Sequence, residues 1–143
     1  MAFGLQVSFH FNVADPVDYT CRLIRKATAR RLRVLVCAPH TLAAQIDHAL
    51  WAAVPLSFMP HAGPGAPAHV RSCSPVCLCS ELSPADSADV FINMQPTVSA
   101  HLSRFGRLIE IVPPEESLRA QARQRWRHFT SLGWTPEGFD AST

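Results

Sequence analysis

Four arginines, Arg119, Arg123, Arg125 and Arg127, surround one tryptophan, Trp126, in the stretch EESLRAQARQRWRHFT, residues 115–130. On a helix, Arg119, Arg123, Trp126 and Arg127 fall at i, i+4, i+7 and i+8, a single face, while Leu118, Ala122 and Phe129 form the opposite, core-facing stripe. Planar guanidinium groups grip carboxylates or phosphates through paired hydrogen bonds. The chemistry on offer is therefore recognition of an acidic peptide or of a nucleic-acid backbone. The plainer alternative is a solvated face on which Glu115 and Glu116 pair with Arg119. Two features weigh against it. No carboxylate occurs from Ser117 to Thr135, which predicts that Arg123, Arg125 and Arg127 lack a partner within the helix. An exposed tryptophan among arginines is also the combination found at binding hot spots.

Other chemistries find less support. Cys73, Cys77 and Cys79 with His61 and His69 raise zinc, but C-x3-C-x-C lacks knuckle spacing, and Cys77 and Cys79 fall on one face of an expected strand, so no metal is expected. Ser8, Ser57, His10 and His61 are framed by no nucleophile-elbow glycines and no Cys-His signature. No GxxxxGK[ST] or GxGxxG follows a strand, and the only glycine pair, Gly63 and Gly65, flanks a proline that removes a phosphate-facing N–H. No cofactor and no catalytic residues are expected. A second candidate surface is LWAAVPLSFMPH, where Trp51 and Phe58 are either core rings or an apolar docking patch for a protein.

The elements that must carry these side chains can be read from periodicity. LQVSFHFNV, Leu5 to Val13, alternates Val7, Phe9, Phe11 and Val13 against Gln6, Ser8, His10 and Asn12, the pattern of a half-buried strand. Asp15-Pro16 opens a helix over residues 16–31 that buries Val17, Cys21, Ile24 and Thr28. LRVLVCA, Leu32 to Ala38, suits a strand covered on both faces, hence parallel and central. A second helix follows from Pro39 to about Ala53, with Leu42, Ile46, Ala49 and Leu50 inward. After a Pro/Gly-rich connection, VCLCS (76–80), DVFINM (89–94) and GRLIEIV (106–112) read as strands. A helical turn is expected between the last two. Pro113-Pro114 ends the last strand, Ser117 or a preceding glutamate caps the arginine helix, and Gly133 stops it. This alternation builds an open α/β sheet with helices on both faces.

Composition sets the frame. A chain of 143 residues, 48% hydrophobic, fits one domain. No apolar run reaches 18 residues and the N-terminal segment lacks a signal-peptide pattern, so a cytoplasmic protein without a membrane span is expected. Five cysteines, two of them in apolar periodic segments, predict a reduced, disulfide-free state. Thirteen basic against eleven acidic side chains argue against a protein that coats duplex DNA.

Taken in order, RVLVCA, IDHALW, SFMPH, DVFINM and IEIVPPEESLRAQARQRWRHFTSLGW resemble one family, the chi subunit of bacterial DNA polymerase III holoenzyme. The resemblance spans most of residues 5–139; it departs in the loop of about 62–75, taken as flexible, and in the first helix. It implies a three-layer Rossmann-like open sheet, mostly parallel, without a phosphate-binding loop, in a single domain over 1–143 with a C-terminal tail from about 139. It further implies a non-catalytic, replisome-associated adaptor. The family binds the psi subunit, and through it the clamp loader. It also binds the acidic, phenylalanine-ending C-terminal tail of single-stranded-DNA-binding protein (SSB), and so reaches DNA indirectly. Val112, Arg119, Arg123 and Trp126 match the tail-pocket positions; Trp51 and Phe58 match the psi side. The competing expectation is direct nucleic-acid binding by the basic C-terminal helix together with Arg22, Arg25, Lys26, Arg30, Arg31 and Arg33.

Overall fold

The computed structural model describes residues 6–52, 76–79, 88–95 and 106–141. Six strands, β1 (Gln6–Phe11), β2 (Val34–Cys37), β3 (Val76–Cys79), β4 (Val90–Asn93), β5 (Arg107–Ile111) and β6 (Glu137–Asp140), form one sheet in the order β3-β2-β4-β5-β1-β6. Every pairing is parallel, so the sheet is open and wholly parallel where the sequence predicts a mostly parallel one. Among the described residues three helices flank it: α1 (Pro16–Ala29), α2 (His40–Ala52) and α3 (Glu116–Ser131). Ile24 of α1 and Ile46 and Leu50 of α2 pack with Val36, Ile92 and Ile109 on one face. Ala122 and Phe129 of α3 pack with Phe9, Phe91 and Leu108 on the other. Helices on both faces bury β2 and β4 completely, which is why these two strands are apolar at nearly every position.

Local chemistry sets the helix ends. Asp15 accepts a hydrogen bond from the Asp18 amide at 3.1 Å and Pro16 occupies the first turn, as their types predict. Helix α1 stops at Ala29, two residues before the expected end. Arg31 takes a left-handed φ of 61°, its amide bonds Thr28 O and the Leu32 amide bonds Ala27 O. Helix α3 closes in the same way on Gly133, φ 90°, with Gly133 N to Thr130 O and Trp134 N to Phe129 O. At its start the N-cap is Glu115, whose side chain makes no capping bond.

Two expectations are corrected. The first strand is not half-buried: Ser8 and His10 are 4% and 9% exposed, because β1 lies between β5 and β6 and is covered on both sides. Its alternation ends at Phe11, since Asn12 adopts a φ of 62° and turns Val13 into the α1/α2 core rather than that of Phe9. Residues 139 and 140, expected in a tail, belong to β6. That strand is exposed throughout but held to β1, with Ala141 N bonded to Phe11 O at 2.8 Å and Asn12 Nδ2 to Asp140 Oδ1 at 3.1 Å. The 62–75 loop and the expected helical turn between β4 and β5 lie outside the described residues.

Candidate protein-recognition site

Helix α3 lies on its face of the sheet because Ala122 and Phe129 are buried to 1% exposure or less, with Leu118 partly covered beside them. A buried ion pair fixes it further. Glu110 points from β5 into the α3 side, fully enclosed, and accepts bonds from Arg125 Nε at 2.9 Å and from Asn93 Nδ2 at 2.7 Å. Asn93 is the register partner of Glu110 on β4 and also bonds both the amide and the carbonyl of Gln95. Burial, only partly offset by Arg125 and Asn93, pushes the Glu110 carboxyl up to about 7. Arg125 is therefore a tether of the helix to the sheet and not part of the exposed basic face. Glu110 is absent from the candidate residues that helical spacing singles out; its signal in the sequence is a single carboxylate inside the apolar strand RLIEI.

Arg119, Arg123 and Trp126 do fall on one side of α3, with Arg127 beside them. Arg119 is partly buried, and its Nε has no hydrogen-bond partner among the described residues. Arg123 is not alone, contrary to expectation: it donates to Glu116 Oε1 at 2.6 Å, seven residues back. Two helical turns rise about 10.5 Å, a span that two long side chains close between them. Arg127 is exposed and makes no ion pair with a described residue. Trp126 is half-buried and not free-standing. Its ring lies 5.1 Å from Phe9 and 6.3 Å from Phe11, centroid to centroid, and rests over Gly138 of β6. The result is a guanidinium row bordered by an aromatic shelf whose far side is anchored in the core.

Val112 follows β5 and is buried at 1% exposure beneath α3. It borders a cleft of about 360 Å³ at the C-terminal ends of β4 and β5, whose helix-side walls are Leu118, Gln121 and Arg125. Arg119, Arg123 and Trp126 do not line that cleft, so Val112 is set apart from the other three residues matched to the tail pocket. Trp51 falls in the last turn of α2, on the opposite face of the sheet from α3. Phe58 lies outside the described residues, as do Ser57, His61, His69 and Cys73. Cys21, Cys37 and Cys77 are buried. Among the described residues no three His, Cys, Asp or Glu side chains gather as a metal site, and no helix is long and apolar enough to cross a membrane.

A wholly parallel open α/β sheet, carrying a basic helix with an aromatic flank on one face, defines the class as Rossmann-like with a candidate recognition helix. The chain belongs to the DNA polymerase III chi subunit (HolC) family, whose description matches residues 5–137. That makes it a member of a family of accessory replication subunits. It is similar to the DNA polymerase III subunit chi of Pseudomonas aeruginosa, 29% identical over 125 residues and 85% of each chain. The same subunit of Haemophilus influenzae is 25% identical over 82% of this chain and 81% of its own. That of Escherichia coli is 29% identical over 80% of this chain and 78% of its own.

Proposed function

We infer that this chain is a non-catalytic adaptor of the DNA polymerase III holoenzyme, joining the clamp loader to SSB-coated single-stranded DNA. Arg119, Arg123 and Trp126 receive the acidic C-terminal tail of SSB; Val112, matched to the same pocket, borders the neighbouring cleft instead. The surface around Trp51 and Phe58 receives the psi subunit, which leads to the clamp loader. The observation that carries this reading is the partly buried Arg119, whose Nε has no partner among the described residues, next to a half-buried tryptophan. A buried donor left open costs about 1–3 kcal/mol, a cost that an incoming carboxylate relieves. The half-buried Trp126 ring gives the terminal phenyl group an apolar contact at low entropic cost.

The test is a titration of the full chain with a labelled acidic peptide ending in phenylalanine, at low and high salt. Saturable binding that weakens with salt, and that is lost when the phenylalanine is removed, is the expected result. Absence of binding at low salt, where charge contacts are strongest, would overturn the reading.

A further inference from the structure

On the sheet face opposite α3, a cleft of about 570 Å³ opens between the C-terminal half of α1 and the first residues of β4 and β5. Lys26 and Arg30 enter it from the helix and Arg107 from β5; Val90, Ile92 and Ile109 form its floor. Among the described residues no Asp or Glu lines it, and none of the three cations makes an ion pair with any of them. Basic side chains at the end of a helix ordinarily answer the partial negative charge there, but that amounts to roughly half an elementary charge. Three full charges exceed it, and Arg107 does not belong to the helix at all. His10 borders the same cleft and is nine-tenths buried. Its Nδ1 meets the Tyr19 hydroxyl, while its Nε2 has no partner among the described residues. With the hydroxyl donating to Nδ1, the ring carries its proton on Nε2, so the wall offers a neutral donor beside the three cations.

We propose that this cleft binds a small organic phosphate, its phosphate held by Lys26, Arg30 and Arg107 and its apolar body on Val90, Ile92 and Ile109. The volume lies within the range of small-ligand sites, and an apolar floor under a few convergent polar groups is their usual construction. A nucleic-acid strand fits less well. Successive bases need a row of aromatic rings to stack on, and His10 is the only ring among the described residues that line this cleft.

The experiment uses the full chain and N-methylanthraniloyl-ADP as probe, followed by fluorescence anisotropy, with unlabelled ADP, inorganic pyrophosphate and oligothymidylate as competitors. The expected result is saturable one-to-one binding, competed better by ADP than by pyrophosphate. Arg107→Gln should weaken it by about tenfold or more, as should the double variant K26Q/R30Q, whereas Arg123→Gln should leave it unchanged. Lys26 and Arg30 are exposed, so the double variant keeps the test valid if Arg107→Gln misfolds. No saturable binding, or wild-type affinity in folded K26Q/R30Q, would overturn the site. Competition by oligothymidylate but not by ADP would replace it with a strand-binding groove. Equal competition by pyrophosphate and ADP would remove the apolar floor from the proposal.

Discussion

Glu110 and His10 give the folded chain opposite responses to pH. The Glu110 carboxyl is raised from 4.5 to about 7, so between those values the folded chain keeps a proton that the unfolded chain has released, and stability falls as pH rises. Burial, and then the Arg107 charge, lower the His10 imidazole from 6.5 to about 4. Over that interval the unfolded chain takes up a proton that the folded chain refuses, so stability rises with pH. Each effect amounts to roughly 3 kcal/mol over its full range, at 1.36 kcal/mol per pKa unit. They oppose each other where they overlap. Denaturant titrations from pH 4.5 to 6.5 should therefore show a shallow wild-type profile, a rising one for Glu110→Gln and a falling one for His10→Gln; three parallel profiles would contradict this. Also at the residue scale, Glu116 already holds Arg123 in an ion pair, which a tail carboxylate binding there would have to displace. An exposed pair of this kind is worth about 0.2–1 kcal/mol. Glu116→Gln should thus tighten binding of the acidic tail peptide, by up to about fivefold, and an unchanged or weaker affinity would show that the pair does not compete.

At the scale of the element, α1 and α3 end in the same hydrogen-bonded motif, one on an arginine and the other on a glycine. A left-handed conformation costs a residue bearing Cβ about 1–2 kcal/mol, part of which the entropy of an unfolded glycine returns. Arg31→Gly should accordingly raise stability by about 0.5–1 kcal/mol. Gly133→Ala, at φ 90° with open space around the added Cβ, should lower it by about 1 kcal/mol through backbone strain alone. Melting curves that move both variants in one direction would refute the assignment. The same elements show how far the fold can be read from sequence. Strands β2 to β5 and all three helices carry their apolar period and their stop signals in the chain, and each lies within a residue or two of its expected position. Strand β6 does not: four exposed residues, EGFD, bear no period, and only pairing with β1 makes them a strand. Asn12 likewise leaves no mark on the alternation it interrupts. The site divides in the same way. Helical spacing put Arg119, Arg123 and Trp126 on one side. It did not disclose the Glu116–Arg123 pair, seven residues apart and outside the i+3 and i+4 neighbours that spacing rules consider, nor the packing of Trp126 on Phe9, which depends on how α3 meets β1.

For the molecule as a whole, the sheet separates the proposed surfaces. Helix α3 packs on one face, and α2, whose last turn holds Trp51, packs on the other, so occupancy of one side leaves the other open. The organic-phosphate cleft lies on the α1 face and shares no residue with the α3 row. The central claim, that the row Arg119, Arg123 and Trp126 is where an acidic, phenylalanine-ended peptide binds, is tested most directly by mapping that peptide onto the isotope-labelled chain by NMR. The expected result is shifts in the Trp126 indole N–H and in the Arg119 and Arg123 side-chain N–H resonances, with Lys26, Arg30 and Arg107 unmoved. Shifts centred on the α1 cleft, with Trp126 and Arg119 silent, would contradict it.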